Sequence, residues 1–93
     1  EPGYYKQGHY GIRIENLLLV TEAEPIAGGE RDMLGFETLT LAPIDHNLID
    51  THILTRDELN WLDAYHQRVL TELSPLVSAT TRHWLQKACA PLT

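Results

Sequence analysis

The chain has 93 residues and a formal net charge of −6, which is one domain's worth of polypeptide with a larger exposed share than a bigger domain would have. The acidic balance argues against nucleic acid or an anionic membrane as partner, because both select for Lys and Arg. Leu17 to Val20 is the longest apolar run and is far too short to span a bilayer; the single cysteine, Cys89, excludes an internal disulfide and fits a reducing compartment.

Glu1-Pro2-Gly3 carries neither an initiator Met nor a basic stretch followed by an apolar one. No signal peptide is expected, and the chain reads as beginning inside a longer sequence. Tyr10, Ile12 and Ile14 alternate with Gly11, Arg13 and Glu15, the period of a half-buried strand. Leu17 to Val20 follows without alternation, which predicts a strand covered on both faces. Thr21 to Asp32 is polar and holds Pro25, Gly28 and Gly29, so it predicts a loop or long hairpin connection. Leu34 to Leu41 predicts the next strand, ended by Pro43.

The second half changes period. Thr55 with Glu58 forms a capping-box signature. Leu59, Leu62, Tyr65, His66, Val69, Leu70 and Leu73 then recur at helical spacing. Ser74-Pro75 stops this helix. A second helix is expected after Ser78, running to about Ala88. Strands first and helices last predict an α+β fold, or the end of such a domain.

The segment EPGYYKQGHYGIRIE, Glu1 to Glu15, is the chemically informative one. A hairpin turning at Gln7-Gly8-His9 uses the backbone freedom of Gly8. Pairing about Gly8 sets Glu1 opposite Glu15, Gly3 opposite Arg13 and Tyr5 opposite Gly11, all on one face. Opposed Cβ atoms lie about 4.5–5.5 Å apart, so the two carboxylates repel unless cations intervene. Two divalent ions about 3.5–4 Å apart would use both groups as ligands. The residues alone leave two readings open: a solvated acidic face, the common case for surface charges, or a metal pair.

EPGYY, then GIRIEN with an apolar strand behind it, resembles the last two metal-ligand motifs of the pita-bread metallopeptidases, specifically the Xaa-Pro aminopeptidase (aminopeptidase P) family. TLTLAPID, then LIDTHILTRDELNWLDAYH and a closing WL helix, resembles the C-terminal extension of that family's long cytosolic form. The resemblance covers nearly the whole chain. It implies that residues 1–43 are the last strands of a pita-bread catalytic domain and that 44–93 are the helical extension. It implies a cytoplasmic enzyme with two divalent cations, commonly manganese, held by two Asp, one His and two Glu. Glu1 matches the Glu that binds one metal and acts as general base. Glu15 matches the Glu that bridges both metals. Arg13 and Tyr5 match positions beside the bridging group. The implied substrates are peptides with proline in second position, with a homodimer contact at the extension.

The family's Asp, Asp and His ligands precede its EPG motif, so the 93-residue chain alone is expected to be inactive. Asp45, His46, Asp50 and His52 cluster in a stretch expected to be a polar loop before the helix. His66 is expected in a core or interface, His9 at an exposed turn, His83 on the surface, and Cys89 in a structural role. The rival reading is a non-catalytic interaction or dimerisation module, for which Trp61, Trp84 and Tyr65 supply large aromatics of the kind enriched at interfaces.

Overall fold

The first hairpin turns on Gly8. Its φ of 72° lies in the left-handed region that glycine enters without a Cβ clash. The His9 N–H closes the turn on the Lys6 carbonyl at 3.0 Å. The structure, a computed structural model, describes residues 2–93. Strands β1 (Tyr4–Lys6) and β2 (Tyr10–Ile12) pair antiparallel, with Tyr4 opposite Ile12, Tyr5 opposite Gly11 and Lys6 opposite Tyr10. That is the register expected from the sequence, although β2 ends before the predicted Ile14.

β3 (Leu18–Val20) pairs antiparallel with β4 (Phe36–Thr38), Leu19 opposite Glu37. β4 is shorter than the predicted Leu34–Leu41, yet contact continues past it. The Leu39 N–H reaches the Leu17 carbonyl at 2.8 Å, and the Leu17 N–H reaches Thr40 Oγ1 at 2.7 Å. The connection between the strands is itself a long hairpin. Glu24 and Met33 exchange backbone bonds of 2.9 and 2.8 Å, and Gly28 turns the tip at φ 74°.

The helical part is built by local signals. α1 (Arg56–Leu73) starts at Thr55, whose Oγ1 accepts from the Glu58 N–H at 3.3 Å while Glu58 Oε2 accepts from the Thr55 N–H at 2.7 Å. Two orphan donors are satisfied at once, as the sequence predicted. A 3-10 turn at Ser74–Leu76 ends α1. α2 (Ala79–Ala88) is capped by Ser78, whose Oγ accepts from the Thr81 N–H at 3.2 Å.

The chain divides into two units, one ending at Thr40 and one running from Leu41 to Thr93. The second has its own core of Tyr65, Val69, Leu85 and Cys89, with Leu41, Ile44, Leu70 and Leu73 packed against it. Full burial of each large apolar side chain contributes about 1.5–3 kcal/mol. The first unit has no buried residue among those described. Leu17 to Val20, expected to be covered on both faces, stands 51–67 % exposed. The correction has a direct cause: a two-stranded sheet supplies no packing layer for either of its faces. Two small antiparallel sheets followed by two helices make the fold α+β. Among the described residues, no helix is long and apolar enough to cross a membrane.

Candidate functional site

Alternate positions on a strand share a face, so Tyr5 shares one with Gly3 and with Gly11 across the pair. The Tyr5 ring occupies the space that side chains there would need. A Cβ at Gly3 would sit 2.7 Å from Tyr5 Oη, and one at Gly11 would sit 2.8 Å from its Cδ1. Both contacts are closer than real Cβ atoms tolerate. The two glycines therefore let the aromatic ring lie along the hairpin.

Arg13 and Glu15 follow β2. Arg13 Nε donates to Glu15 Oε1 at 2.7 Å, and Arg13 Nη2 lies 2.5 Å from the same oxygen. The two side chains are 44 % and 42 % exposed, so water screens the pair and its stabilising effect is at most about 1 kcal/mol. Its value is geometric: the guanidinium fixes the carboxylate's orientation. Glu1, expected opposite Glu15 as ligand and general base, lies outside the described residues. Among the described residues, no group of three or more His, Cys, Asp or Glu side chains is placed to hold a metal ion. A carboxylate held by Arg13 fits one corner of a hard-cation site; the remaining ligands would have to come from elsewhere.

The polar loop before α1 uses its acids locally. Asp45 Oδ1 accepts from the Asn47 N–H at 2.9 Å, and Asp50 Oδ1 accepts from the His52 N–H at 3.0 Å. His9 and His83 are exposed. Cys89 is buried, and burial pushes its thiol pKa up, which keeps it neutral and unreactive.

His66 is wholly buried, and it does more than fill the core. Its Nε2 accepts from the Ile44 N–H at 3.0 Å. Beside it, Tyr65 Oη accepts from the Ala42 N–H at 3.3 Å and donates to the Ala42 carbonyl at 2.9 Å. Adjacent helical residues thus fasten the incoming strap, residues 42–48, to α1. Helical spacing alone puts Tyr65 and His66 on the apolar stripe. It carried no sign of these bonds, because their partners are backbone groups more than twenty residues away. Burial holds the His66 pKa below the ordinary histidine value; nearby His46 lowers it further, and Asp63 opposes the shift. Ile44, Asp45 and His46 also line an open groove of about 460 Å³ with Trp84 and Lys87.

Residues 32–92 match the model of the C-terminal region of peptidase_M24. The chain is 45 % identical over 95 residues to a probable Xaa-Pro aminopeptidase P of Laccaria bicolor, covering 99 % of this chain and 15 % of that protein. It is 44 % identical over 94 residues to Aminopeptidase P1 of Arabidopsis thaliana, covering 100 % of this chain and 15 % of that one. The X-prolyl aminopeptidase of Caenorhabditis elegans, a cytosolic enzyme with a di-nuclear active site, matches in structure with a TM-score of 0.82 and 36 % identity. That match covers 98 % of this chain and 15 % of the enzyme. The chain thus spans about 15 % of the length of these curated relatives.

Proposed function

The chain belongs to the C-terminal region of the M24 peptidases, in the Xaa-Pro aminopeptidase P family, and from that premise we propose that it closes the active site of an aminopeptidase. The whole protein would remove the first residue from peptides with proline in second position, in the cytoplasm. Residues 1–43 would complete the catalytic domain and 44–93 would form its helical extension. The observation that carries the reading is the Arg13–Glu15 pair, presented on a hairpin whose register and glycine slots hold Tyr5.

Two divalent cations, Mn²⁺ on the preference of hard carboxylate oxygens, would supply Lewis acidity and an acidified water when bound. Glu15 would offer its carboxylate as the bridging ligand. Arg13 orients that carboxylate and offsets its charge. Tyr5 braces the hairpin from which Glu15 projects. Glu1 would be the second ligand and the base that takes the proton from the attacking water. Asp, Asp and His ligands would come from other parts of the protein.

The test compares the intact protein with the 93-residue chain on an Xaa-Pro peptide. The intact protein should cleave it, lose activity to a chelator and recover it with Mn²⁺. The chain alone should not cleave, because two carboxylates leave most of each coordination shell to water. No metal-dependent cleavage by the intact protein would sink the peptidase reading. Turnover by the chain alone would sink the claim that further ligands are needed.

We also propose a homodimer contact on the helical unit, supported by Trp61 and Trp84, which are 55 % and 58 % exposed. The second reading, a non-catalytic dimerisation module, draws on the self-contained core of that unit. A stable dimer without peptidase activity in the intact protein would favour it.

A further inference from the structure

The strap that enters α1 is fastened by two kinds of bond. One set, Ala42 to Tyr65, runs through a phenol hydroxyl that accepts from one backbone group and donates to the other. The other runs from the Ile44 N–H to a histidine nitrogen. An imidazole nitrogen accepts only in its neutral form, so the His66 proton sits on Nδ1. His66 Nδ1 is buried without a hydrogen-bond partner among the described residues, and so is His46 Nε2. The two rings lie 5.2 Å apart, tilted by 44°. Asp63 favours a charge on His66, but burial and His46 outweigh it.

We propose that His66 is an acid-sensitive latch: a proton taken up at Nε2 turns the acceptor for the Ile44 N–H into a donor and releases the 42–48 strap from α1. The charged ring would set its own Nε2–H against the Ile44 N–H, with no solvent to relieve the clash. The groups around it set the threshold. On α1, Asp63 favours the charged form; on the strap, His46 disfavours it. Cys89, which follows α2, is a buried core thiol kept neutral. Lys87 shares the groove with His46 and Asp45. Tyr65 keeps Ala42 fastened when Ile44 lets go, so the strap loosens without leaving. Ile44, Asp45 and His46 line the groove, so the same step reshapes that groove. The folded pKa lies below the ordinary value. The latch is therefore fully closed above the ordinary histidine range and opens as pH falls through the folded pKa.

The inference does not depend on the peptidase reading, and its test needs no activity. Amide hydrogen exchange is followed by mass spectrometry on peptides covering 41–50 of the intact protein, between about pH 7.5 and pH 5, corrected for intrinsic rates. Protection should fall by up to about tenfold per pH unit from the ordinary histidine pKa down to the His66 midpoint and level off below it. His66→Gln, whose amide oxygen accepts without titrating, should abolish the fall. His46→Gln should move it to higher pH. Tyr65→Phe should lower protection at every pH and leave the fall in place. Constant protection in the natural protein, or the same fall in His66→Gln, overturns the latch. If His66→Gln does not fold, exchange at the imidazole Cε1–H of the natural protein gives the His66 midpoint directly. A midpoint that coincides with the levelling-off of protection supports the latch, and one that does not coincide overturns it.

Discussion

The two units bury apolar surface in opposite ways. From Leu41 to Thr93, two helices and a strap close on Val69 and Leu85, which are 0 % and 3 % exposed. Up to Thr40, the sequence is nearly as apolar, yet Phe36 stands 72 % exposed and Leu17 67 %. Composition does not separate them; topology does. A helix shows its apolar stripe to a neighbour only a few residues away along the chain. A two-stranded sheet has two faces and no neighbour to cover them. One unit carries its own core. The other has the surface of a core without the second half, which suits a segment meant to be sandwiched in a larger domain.

The widest gap between the units should appear in core truncation. In the isolated chain, Leu85→Ala should cost about 2–5 kcal/mol, the range for a buried leucine. Leu18→Ala, at a position 51 % exposed, should cost no more than about 0.5 kcal/mol there. Urea unfolding measures both. Equal costs would break the comparison. In the intact protein Leu18→Ala should become expensive, and an unchanged small cost would show that nothing covers β3.

Next in size is the effect of Glu15→Ala on the intact protein. It should lower kcat/KM on an Xaa-Pro peptide at least about a hundredfold, or ~2.7 kcal/mol of transition-state stabilisation, with the helical unit's unfolding midpoint unchanged. A loss of less than tenfold would remove Glu15 from the bridging role. Smaller still is the expected effect of Trp84→Ala on association. A half-exposed indole that becomes covered contributes up to about 1.5–3 kcal/mol, so sedimentation should show the dimer weakened while activity per folded chain is kept. A monomeric parent at micromolar concentration would end the interface claim.

The smallest effect belongs to the chain's last residues. Asp63 accepts from the Leu92 N–H at 2.7 Å and the Thr93 hydroxyl at 2.5 Å. Its pKa is lowered, chiefly by the Thr93 hydroxyl and then by the Leu92 N–H. The folded chain therefore binds fewer protons here than the unfolded chain does. The clamp is complete above the unfolded pKa and is lost as pH falls through the folded one. Carbon NMR of the Asp63 carboxyl should show a midpoint below the ordinary aspartate value, moving back toward it in Thr93→Val. A midpoint that does not move would show that Thr93 contributes nothing.

The helical unit was the more legible because its determinants are local. Thr55 and Glu58 are three residues apart, Ser74-Pro75 is a dipeptide, and Ser78 caps the helix it precedes. The first hairpin was legible for the same reason, since one glycine sets the turn and the turn sets the register. The run Leu17 to Val20 misled about this chain because unbroken apolarity records the demand for cover and not its supplier. The Tyr65 and His66 bonds to Ala42 and Ile44 were missed because backbone acceptors and donors have no signature in a side-chain pattern. At the candidate site, Arg13, Glu15 and Tyr5 could be placed on one hairpin from spacing. The ligand roles came only from family resemblance.

β3 carries one more consequence. Leu18 to Val20 pairs with β4 on one side only among the described residues, and its side chains are apolar on both faces. An open strand edge that carries no charged side chain is a template for another strand of the same kind. Expressed apart from its natural surroundings, the chain should self-associate through this edge and become insoluble, while its helices stay folded. Leu19→Lys should restore solubility to the isolated chain and, in the intact protein, should impair folding.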